Sequence, residues 1–463
     1  MSLNQFKTRL AASSAFSKIS RLWPGSTGIS LKNTSGSYIS FLSYCLIQEK
    51  NGNHLFILPD KEDALYFFND LENLFNSERG TTLLFYPASY RRPYQIMDSD
   101  ATSVLQRTEV LDALGKERKK LIVVTYPEAM VEKVIEKKNF EKNNLTISVG
   151  EELELDLIDE ILIDLDFEKV DYVYEPGQFA IRGGIIDVFS FNYEMPYRVE
   201  LFGDDIESIR EFDPVNQLSV TTLNRIKIVP NINNISFSKD RVSFLEYLPK
   251  NTILWAKDLE ISQKKMDQGF EIASKVYNKI KEKKSLLLPI EMYLSPLEFL
   301  TKIKEYKVLE WNRTVHEKEA VLIDCNSVEQ PKFNKNFDVL VKSLEEWKNE
   351  EYSIFICSDQ DSQISRLRSI FMELDKESLC SFITIGLHQG FIDHNEKIVV
   401  FTDHQIFERY HRFNSRKSVS KSKETFTLKE IYDLQKGDFV VHIDHGVGEF
   451  SGLEKIDVQG KQQ

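Results

Sequence analysis

Residues 174–217 read YEPGQFAIRGGIIDVFSFNYEMPYRVELFGDDIESIREFDPVNQ, and this pattern predicts two consecutive β-hairpins. The first hairpin consists of the β-rich runs 179–182 and 185–189. Gly183-Gly184 joins these runs, and such a two-residue turn tolerates positive φ at both positions.

The second predicted hairpin joins the runs 197–202 and 206–212 through Gly203-Asp204-Asp205, another turn sequence. Side chains alternate between the two faces of a strand. The run 197–202 therefore has a core-type face with Tyr197, Val199 and Leu201, and a second face with Arg198, Glu200 and Phe202. A phenylalanine thus stands beside an arginine on a face that should meet solvent.

Two interpretations of this second face remain open from the residues alone. Exposed aromatic side chains flanked by arginine are typical of protein-binding hot spots. Alternatively, Phe202 caps a second small core and Arg198 pairs with Glu200 or Glu207. For Arg182, the alternative to binding is a strand-end residue paired with a nearby acid.

The composition is that of a soluble globular protein. The chain has 463 residues, 41% of them hydrophobic and 28% charged, which predicts three or four domains. Its net charge of −13 disfavours a general nucleic-acid clamp and suits a basic protein partner. No apolar run reaches the length of a membrane span, and the N-terminus lacks the apolar core of a secretory signal. Four scattered cysteines without a Cys-x-x-Cys motif indicate neither a zinc site nor a disulfide framework, which fits a cytoplasmic protein.

The pattern along the chain predicts an α/β multidomain protein. Residues 1–144 alternate strand-like and helix-like segments, among them 54–59, 61–75 and 121–125, which favours a parallel sheet. The predicted organisation is an α/β domain at 1–144, an inserted α+β hairpin domain at 145–229, the second part of the α/β domain at 230–328, a small α/β domain at 329–412, a linker at 413–427 and a β-rich segment at 428–463.

The hairpin unit resembles the UvrA-binding domain shared by the excision-repair protein UvrB and the transcription-repair coupling factors (the Mfd family). The resemblance implies that Arg182, Arg198 and Phe202 contact UvrA. The segment LHQGFIDHNEKIVVFTDHQIFERYHR at 387–412 also resembles this family and fits its chain order.

Residues 434–453, LQKGDFVVHIDHGVGEFSGL, resemble the start of the RNA-polymerase-interacting domain shared by the coupling factors and CarD-like regulators. The resemblance implies the start of a Tudor-like β-barrel that docks on the RNA polymerase β subunit. The segment 428–463 is short for such a barrel, so we expect it to be truncated. His442, Asp444 and His445 are interpreted as structural, because no third strong metal ligand is obvious nearby.

The first domain is expected to be a degenerate, P-loop-like nucleotide-binding fold. Gly36-Ser37, in SLKNTSGSYISF, stands where the resemblance places a phosphate loop, but Ser37 replaces the lysine that such a loop needs. Gly25 and Gly28 do not restore the motif. We therefore expect no cofactor, no metal and no ATP hydrolysis for this chain. ATP and Mg²⁺ would serve the motor of the whole family protein.

A segment at 86–100, YPASYRRPYQIMDSD, interleaves basic and aromatic residues at Tyr90, Arg91, Arg92 and Tyr94. Such residues can stack on nucleic acid, but a tight surface turn around Pro93 is the preferred interpretation. DNA contact is expected mainly through parts of the family protein outside this chain.

The sequence thus predicts an N-terminal interaction fragment of a transcription-repair coupling factor, without catalytic residues. It would recruit UvrA to stalled RNA polymerase, while the family's ATP-driven DNA translocase lies elsewhere. The alternatives are a UvrB-like ATP-dependent excision subunit and a CarD-like polymerase regulator.

Overall fold

The computed structural model describes residues 3–11, 13–23, 28–50, 52–76, 78, 80–89, 93–94, 101–116, 120–232, 240–280, 286–312, 321–334, 336–409, 439–442, 446–449, 457–458 and 461–462. These residues divide into two compact units, 1–416 and 417–463, which are described separately.

The helices are α1 (Leu3–Ala11), α2 (Ser14–Leu22), α3 (Tyr38–Glu49), α4 (Lys61–Phe75), α5 (Ala101–Leu114), α6 (Pro127–Met130), α7 (Lys137–Lys142), α8 (Leu155–Asp164), α9 (Leu259–Lys279), α10 (Pro289–Met292), α11 (Pro296–Ile303), α12 (Phe337–Asn349), α13 (Asp361–Glu373) and α14 (Asp403–Ile406).

The strands of the first unit are β1 (Gly28–Lys32), β2 (Gly52–Ile57), β3 (Thr81–Tyr86), β4 (Lys120–Thr125), β5 (Val134–Ile135), β6 (Leu145–Ser148), β7 (Glu168–Lys169), β8 (Gln178–Arg182), β9 (Ile185–Val188), β10 (Tyr197–Phe202), β11 (Asp205–Phe212), β12 (Ser219–Leu223), β13 (Arg225–Ile228), β14 (Arg241–Val242), β15 (Ile253–Lys257), β16 (Lys307–Trp311), β17 (Val321–Asp324), β18 (Ser327–Glu329), β19 (Ser353–Ser358), β20 (Ser381–Thr384), β21 (Phe391–Asp393) and β22 (Ile398–Thr402).

A seven-stranded parallel sheet in the order β17-β1-β16-β15-β2-β4-β3 confirms the predicted α/β architecture. Strands β1–β4 precede the hairpin unit in sequence, and β15–β17 follow it. The sheet core includes the stacked rings of Phe56 and Trp255, 4.9 Å apart. Because all seven strands run the same way, their carboxyl ends lie along one edge of the sheet.

The hairpin unit is an insertion into this α/β fold. The chain enters it through β6 and leaves through β13, and these two strands pair antiparallel from Leu145↔Ile228 to Ser148↔Arg225. Between them lies a six-stranded sheet in the order β12-β11-β10-β9-β8-β7, with α8. The two predicted hairpins are β8–β9 and β10–β11.

A five-stranded sheet in the order β18-β21-β22-β19-β20 follows. Its strands β19, β20 and β22 are parallel, while β21 pairs antiparallel with both β18 and β22. The sheet has its own buried core, in which the Phe333 and Phe401 rings lie 5.3 Å apart.

In the second unit, β23 (Phe439–His442) and β24 (Gly446–Glu449) form an antiparallel hairpin, and β25 (Asp457–Val458) pairs with β26 (Lys461–Gln462). The predicted linker 413–427, as well as Asp444 and His445, lies outside the described residues. The Tudor-like barrel stays a prediction.

None of the helices in the described part of the chain has both the length and the apolar character needed to cross a bilayer. Within the same described ranges, no group of three His, Cys, Asp or Glu side chains is arranged to hold a metal ion.

Candidate protein-binding site

The two hairpins form adjacent parts of one twisted sheet, because β9 also pairs with β10. On one face of β10, Tyr197 and Val199 are buried, as the alternation predicts. This face belongs to the same continuous core as Ile158 and Leu162 of α8. Because the first face is buried in the core, the opposite face is the one on which the hairpin unit can contact a partner.

Asp187 lies at the centre of this opposite face and has no exposed surface. It is the direct cross-strand neighbour of Arg198 on β10. Arg198 donates from Nε to Asp187 Oδ1 at 2.7 Å and from Nη2 to Oδ2 at 2.8 Å, which is a bidentate pair. Arg182 also donates to Asp187 Oδ2. Two guanidinium groups thus share one carboxylate, leaving one positive charge in excess.

Arg198 is held in place from several sides. Its hydrogen bonds to Asp187 raise the pKa of the guanidinium, and burial opposes that shift. Its guanidinium carbon lies 4.4 Å from the centre of the Phe212 ring. The Gln217 carbonyl accepts from its Nη1 at 3.3 Å. Because only 16% of its side chain is exposed, Arg198 is largely a structural member of the site.

Arg182 is the more accessible of the two arginines, with 34% of its side chain exposed. It lies at the end of β8, where its guanidinium carbon is 4.9 Å from the Tyr172 ring centre. Its Nη1 donates to the Asp171 carbonyl. The stacked ring and the carboxylate hold the fork in one orientation at the surface, where it can meet a partner's carboxylate.

Phe202 lies at the tip of the second hairpin, and 79% of it is exposed. This tip adjoins the tip of the first hairpin, because the Leu201 N–H donates to the Gly184 carbonyl at 2.8 Å. A Cβ at Gly184 would lie 2.9 Å from the Leu201 oxygen, so only glycine permits this approach. Arg182 and Phe202 therefore stand at the same end of the sheet, on neighbouring hairpins.

The structure corrects two details of the alternative interpretation. Arg198 pairs with Asp187 rather than with Glu200 or Glu207, and Glu200 pairs instead with Arg210. A second small core does exist on this face, formed by Leu105, Val173, Ala180, Phe189 and Phe212. Phe202 is too exposed to cap it. For Arg182 the structure shows the nearby acid, Asp187, and leaves part of the side chain free for contact.

The position predicted for a phosphate loop lies between β1 and α3, at the carboxyl edge of the seven-stranded sheet. A cavity of about 270 Å³ at this edge is lined by Thr34, Tyr66, Lys257 and Glu329, among others. Lys257 is neutralised there by Asp63, 2.6 Å away. An acidic lining around a neutralised lysine disfavours nucleotide phosphate, and the absence of ATP hydrolysis stays a prediction.

Asp70, on α4, is the buried acid beneath this edge. Burial raises its pKa to about 6, although hydrogen bonds from Ser37, Ser40 and the His388 N–H oppose the shift. The carboxylate accepts from Ser40 Oγ at 2.9 Å and from the His388 N–H at 2.7 Å.

This raised pKa predicts a pH dependence of stability. Between the unfolded pKa of about 4 and the folded pKa, the folded state binds more protons, so Asp70 lowers the free energy of unfolding as pH rises from 4 to 7. The decrease is on the order of 3 kcal/mol. It is measured as the difference between the parent chain and Asp70→Asn in urea unfolding at pH 4, 5, 6 and 7. A difference that stays constant over this range would contradict the prediction.

The basic and aromatic segment at 86–100 is only partly described. Tyr90, Arg91 and Arg92 lie outside the described residues. Tyr94 packs against the rings of Tyr277 and Tyr293, at 5.6 and 5.8 Å, and donates to the Leu287 carbonyl. Its ring is engaged within the fold, which argues against stacking on nucleic acid.

The fold and the site define a multidomain α/β protein in which a hairpin domain with a partly exposed arginine and an exposed phenylalanine interrupts a parallel sheet. Residues 145–233 match the family model described as the UvrB interaction domain. Residues 434–463 match the model described as the CarD-like/TRCF RID domain.

Three curated relatives are named transcription-repair-coupling factor. The chain is 24% identical to that of Bacillus subtilis (strain 168) over 93% of its own length and 42% of the relative's. It is 24% identical to that of Myxococcus xanthus over 87% of its own length and 40% of the relative's. It is 23% identical to that of Borreliella burgdorferi over 92% of its own length and 40% of the relative's. The chain thus spans about two fifths of the length of these relatives. The matches confirm the resemblance to the transcription-repair coupling factors that the motifs indicate.

Proposed function

We propose that this chain is the interaction module of a transcription-repair coupling factor and recruits UvrA to stalled RNA polymerase. The observation that carries the proposal is the exposed Phe202 at the same end of the sheet as Arg182, which belongs to the Arg182–Asp187–Arg198 cluster, on a domain that matches the UvrB interaction family. The aromatic ring offers desolvated contact area, and Arg182 offers a planar fork for an acidic group.

The match at 434–463 supports contact with RNA polymerase as the second half of this function, and we propose the β subunit as the surface contacted. In this proposal the chain itself hydrolyses no ATP. The ATP- and Mg²⁺-dependent motor and most DNA contacts belong to the remainder of the family protein.

Calorimetric titration of the chain with UvrA tests the proposal, and we expect saturable one-site binding. The UvrB-like alternative is tested by titration with ATP and Mg²⁺, for which we expect no binding. Retained binding to RNA polymerase without any binding to UvrA would overturn UvrA recruitment and favour the CarD-like regulator.

A further inference from the structure

The carboxyl edge of the seven-stranded sheet is contacted by a distant segment of the same chain. The loop formed by residues 386–390 lies between β20 and β21 of the five-stranded sheet. It reaches the turn between β1 and α3, the position at which phosphate-binding folds of this architecture hold their ligand.

The contact is made by backbone and side-chain groups at the start of α3. The Ser37 N–H donates to the Gln389 carbonyl at 3.1 Å, and the Gln389 N–H donates to Ser37 Oγ at 3.1 Å. Gly36 has a φ of +53°, and a Cβ there would lie 2.3 Å from the Gly390 oxygen. The Gln389 carbonyl thus accepts the Ser37 N–H, a group that a phosphate oxygen bound at this position would need.

Helix α4 holds the same loop from a second side. The His388 ring stacks on Tyr66 with 3.7 Å between ring centres and an interplanar angle of 18°. The His388 N–H donates to Asp70, and Asn73 Nδ2 donates to the Gly386 carbonyl at 3.0 Å.

The loop also contacts strand β22 of the five-stranded sheet and the neighbouring helix α14. The Gly390 N–H donates to Gln405 Oε1 at 2.6 Å, and His404 Nε2 lies 2.9 Å from the His388 carbonyl. Gly390 lies so close to Gln330 and the Val400 carbonyl that a Cβ would clash with both. The loop therefore contacts elements of both α/β parts of the fold rather than of one.

We propose that the 386–390 loop is a built-in ligand of the former phosphate position, which excludes nucleotide and fastens the five-stranded sheet to the seven-stranded one. The degenerate nucleotide-binding edge serves here as an intramolecular docking surface. This assigns a role to residues around 386–390 that is independent of UvrA recruitment.

The first test compares Gly36→Ala with Gly150→Ala. Both glycines have positive φ, +53° and +84°, but a Cβ at Gly150 would meet nothing within 4 Å. Hydrogen exchange of the full chain is the measurement. We expect Gly36→Ala to speed amide exchange at Ser37, His388 and Gln389 by about tenfold or more, because local opening becomes easier when these contacts are strained. Gly150→Ala should leave these amides unchanged.

A second pair of variants, with smaller structural changes, provides the test if Gly36→Ala fails to fold. Ser37→Ala removes the acceptor of the Gln389 N–H, whereas Ser35→Ala removes a hydroxyl that donates to the Ser327 carbonyl. Exchange at Gln389 should rise in Ser37→Ala only.

Two outcomes would overturn the proposal. One is unchanged exchange at 386–390 in both Gly36→Ala and Ser37→Ala. The other is saturable binding of ATP or pyrophosphate to the parent chain, accompanied by faster exchange at Gln389.

Discussion

Replacing Phe202 by alanine is expected to weaken UvrA binding by about 2 kcal/mol or more, which is roughly 30-fold in Kd. The ring is 79% exposed in the free chain, so its removal leaves no cavity in the fold. Its contribution lies in the apolar area that a partner would cover, at the same end of the sheet as the Arg182 guanidinium. Calorimetric titration of UvrA with the variant gives the affinity, and the urea midpoint checks that the fold is retained.

Leu297→Ala is the matched control for this prediction. Leu297 is also a large apolar residue, 76% exposed, but it lies on α11 outside the hairpin domain. Its replacement should leave UvrA affinity unchanged. Equal affinities of the Phe202→Ala and Leu297→Ala variants would show that the hairpin tip is not the contact surface, even if the chain binds UvrA.

Local patterns in the sequence predict the four hairpin strands, the strands β2 and β4 and the α4 helix. The hairpins follow from alternation and glycine turns, and α4 begins at Lys61 because the Asp60 side chain accepts from the Asp63 N–H. These signals lie within a few residues of the elements they define. For the same reason, the exposed face of β10 with Phe202 could be predicted from the period of two.

The partner of Arg198 could not be predicted in the same way. The pairing Arg198↔Asp187 depends on the register between β9 and β10, which are joined by the longer connection 189–196 rather than by a tight turn. Without that register, Glu200 and Glu207 are the nearer acids in sequence. An aspartate between Ile186 and Val188 is the one signal that could have indicated a buried charge needing partners.

The docking of the 386–390 loop is a contact of still longer range. Ser37 and Gln389 are separated by 352 positions, and neither lies in a periodic pattern. The sequence predicts that the phosphate motif is degenerate, because Ser37 stands in place of a lysine. It does not predict what occupies the edge instead, since that depends on how two sheets pack.

Replacing Arg198 by methionine is expected to lower the free energy of unfolding by about 3–5 kcal/mol, because the buried Asp187 carboxylate then loses both hydrogen bonds of its bidentate ion pair and keeps only the contact with Arg182. Asp187 has no exposed surface, and Arg198 supplies two of its hydrogen bonds. Arg182, which donates to one oxygen, cannot replace that bidentate pair. Urea unfolding monitored by fluorescence measures the loss.

Arg210→Met is the control, because Arg210 pairs with Glu200 and both side chains are 31% exposed. Its loss should cost less than about 1 kcal/mol, as is usual for ion pairs near the surface. Adding Asp187→Asn to Arg198→Met should recover part of the stability, since the buried charge is then removed. Equal losses in the Arg198→Met and Arg210→Met variants would contradict the assignment of Asp187 as a buried charge held by Arg198.

Because removing Arg198 destabilises the hairpin domain, loss of UvrA binding in an Arg198 variant does not by itself show that Arg198 contacts UvrA. A variant that lacks Arg198 loses UvrA binding if the hairpin sheet is disturbed, whether or not the arginine contacts UvrA. Phe202 and Arg182 separate the two causes, because Phe202 is exposed and Asp187 keeps its bidentate partner when Arg182 is removed. If Arg182→Ala weakens UvrA binding with an unchanged urea midpoint, the positive fork at the end of β8 acts on the partner directly and Arg198 supports it through Asp187.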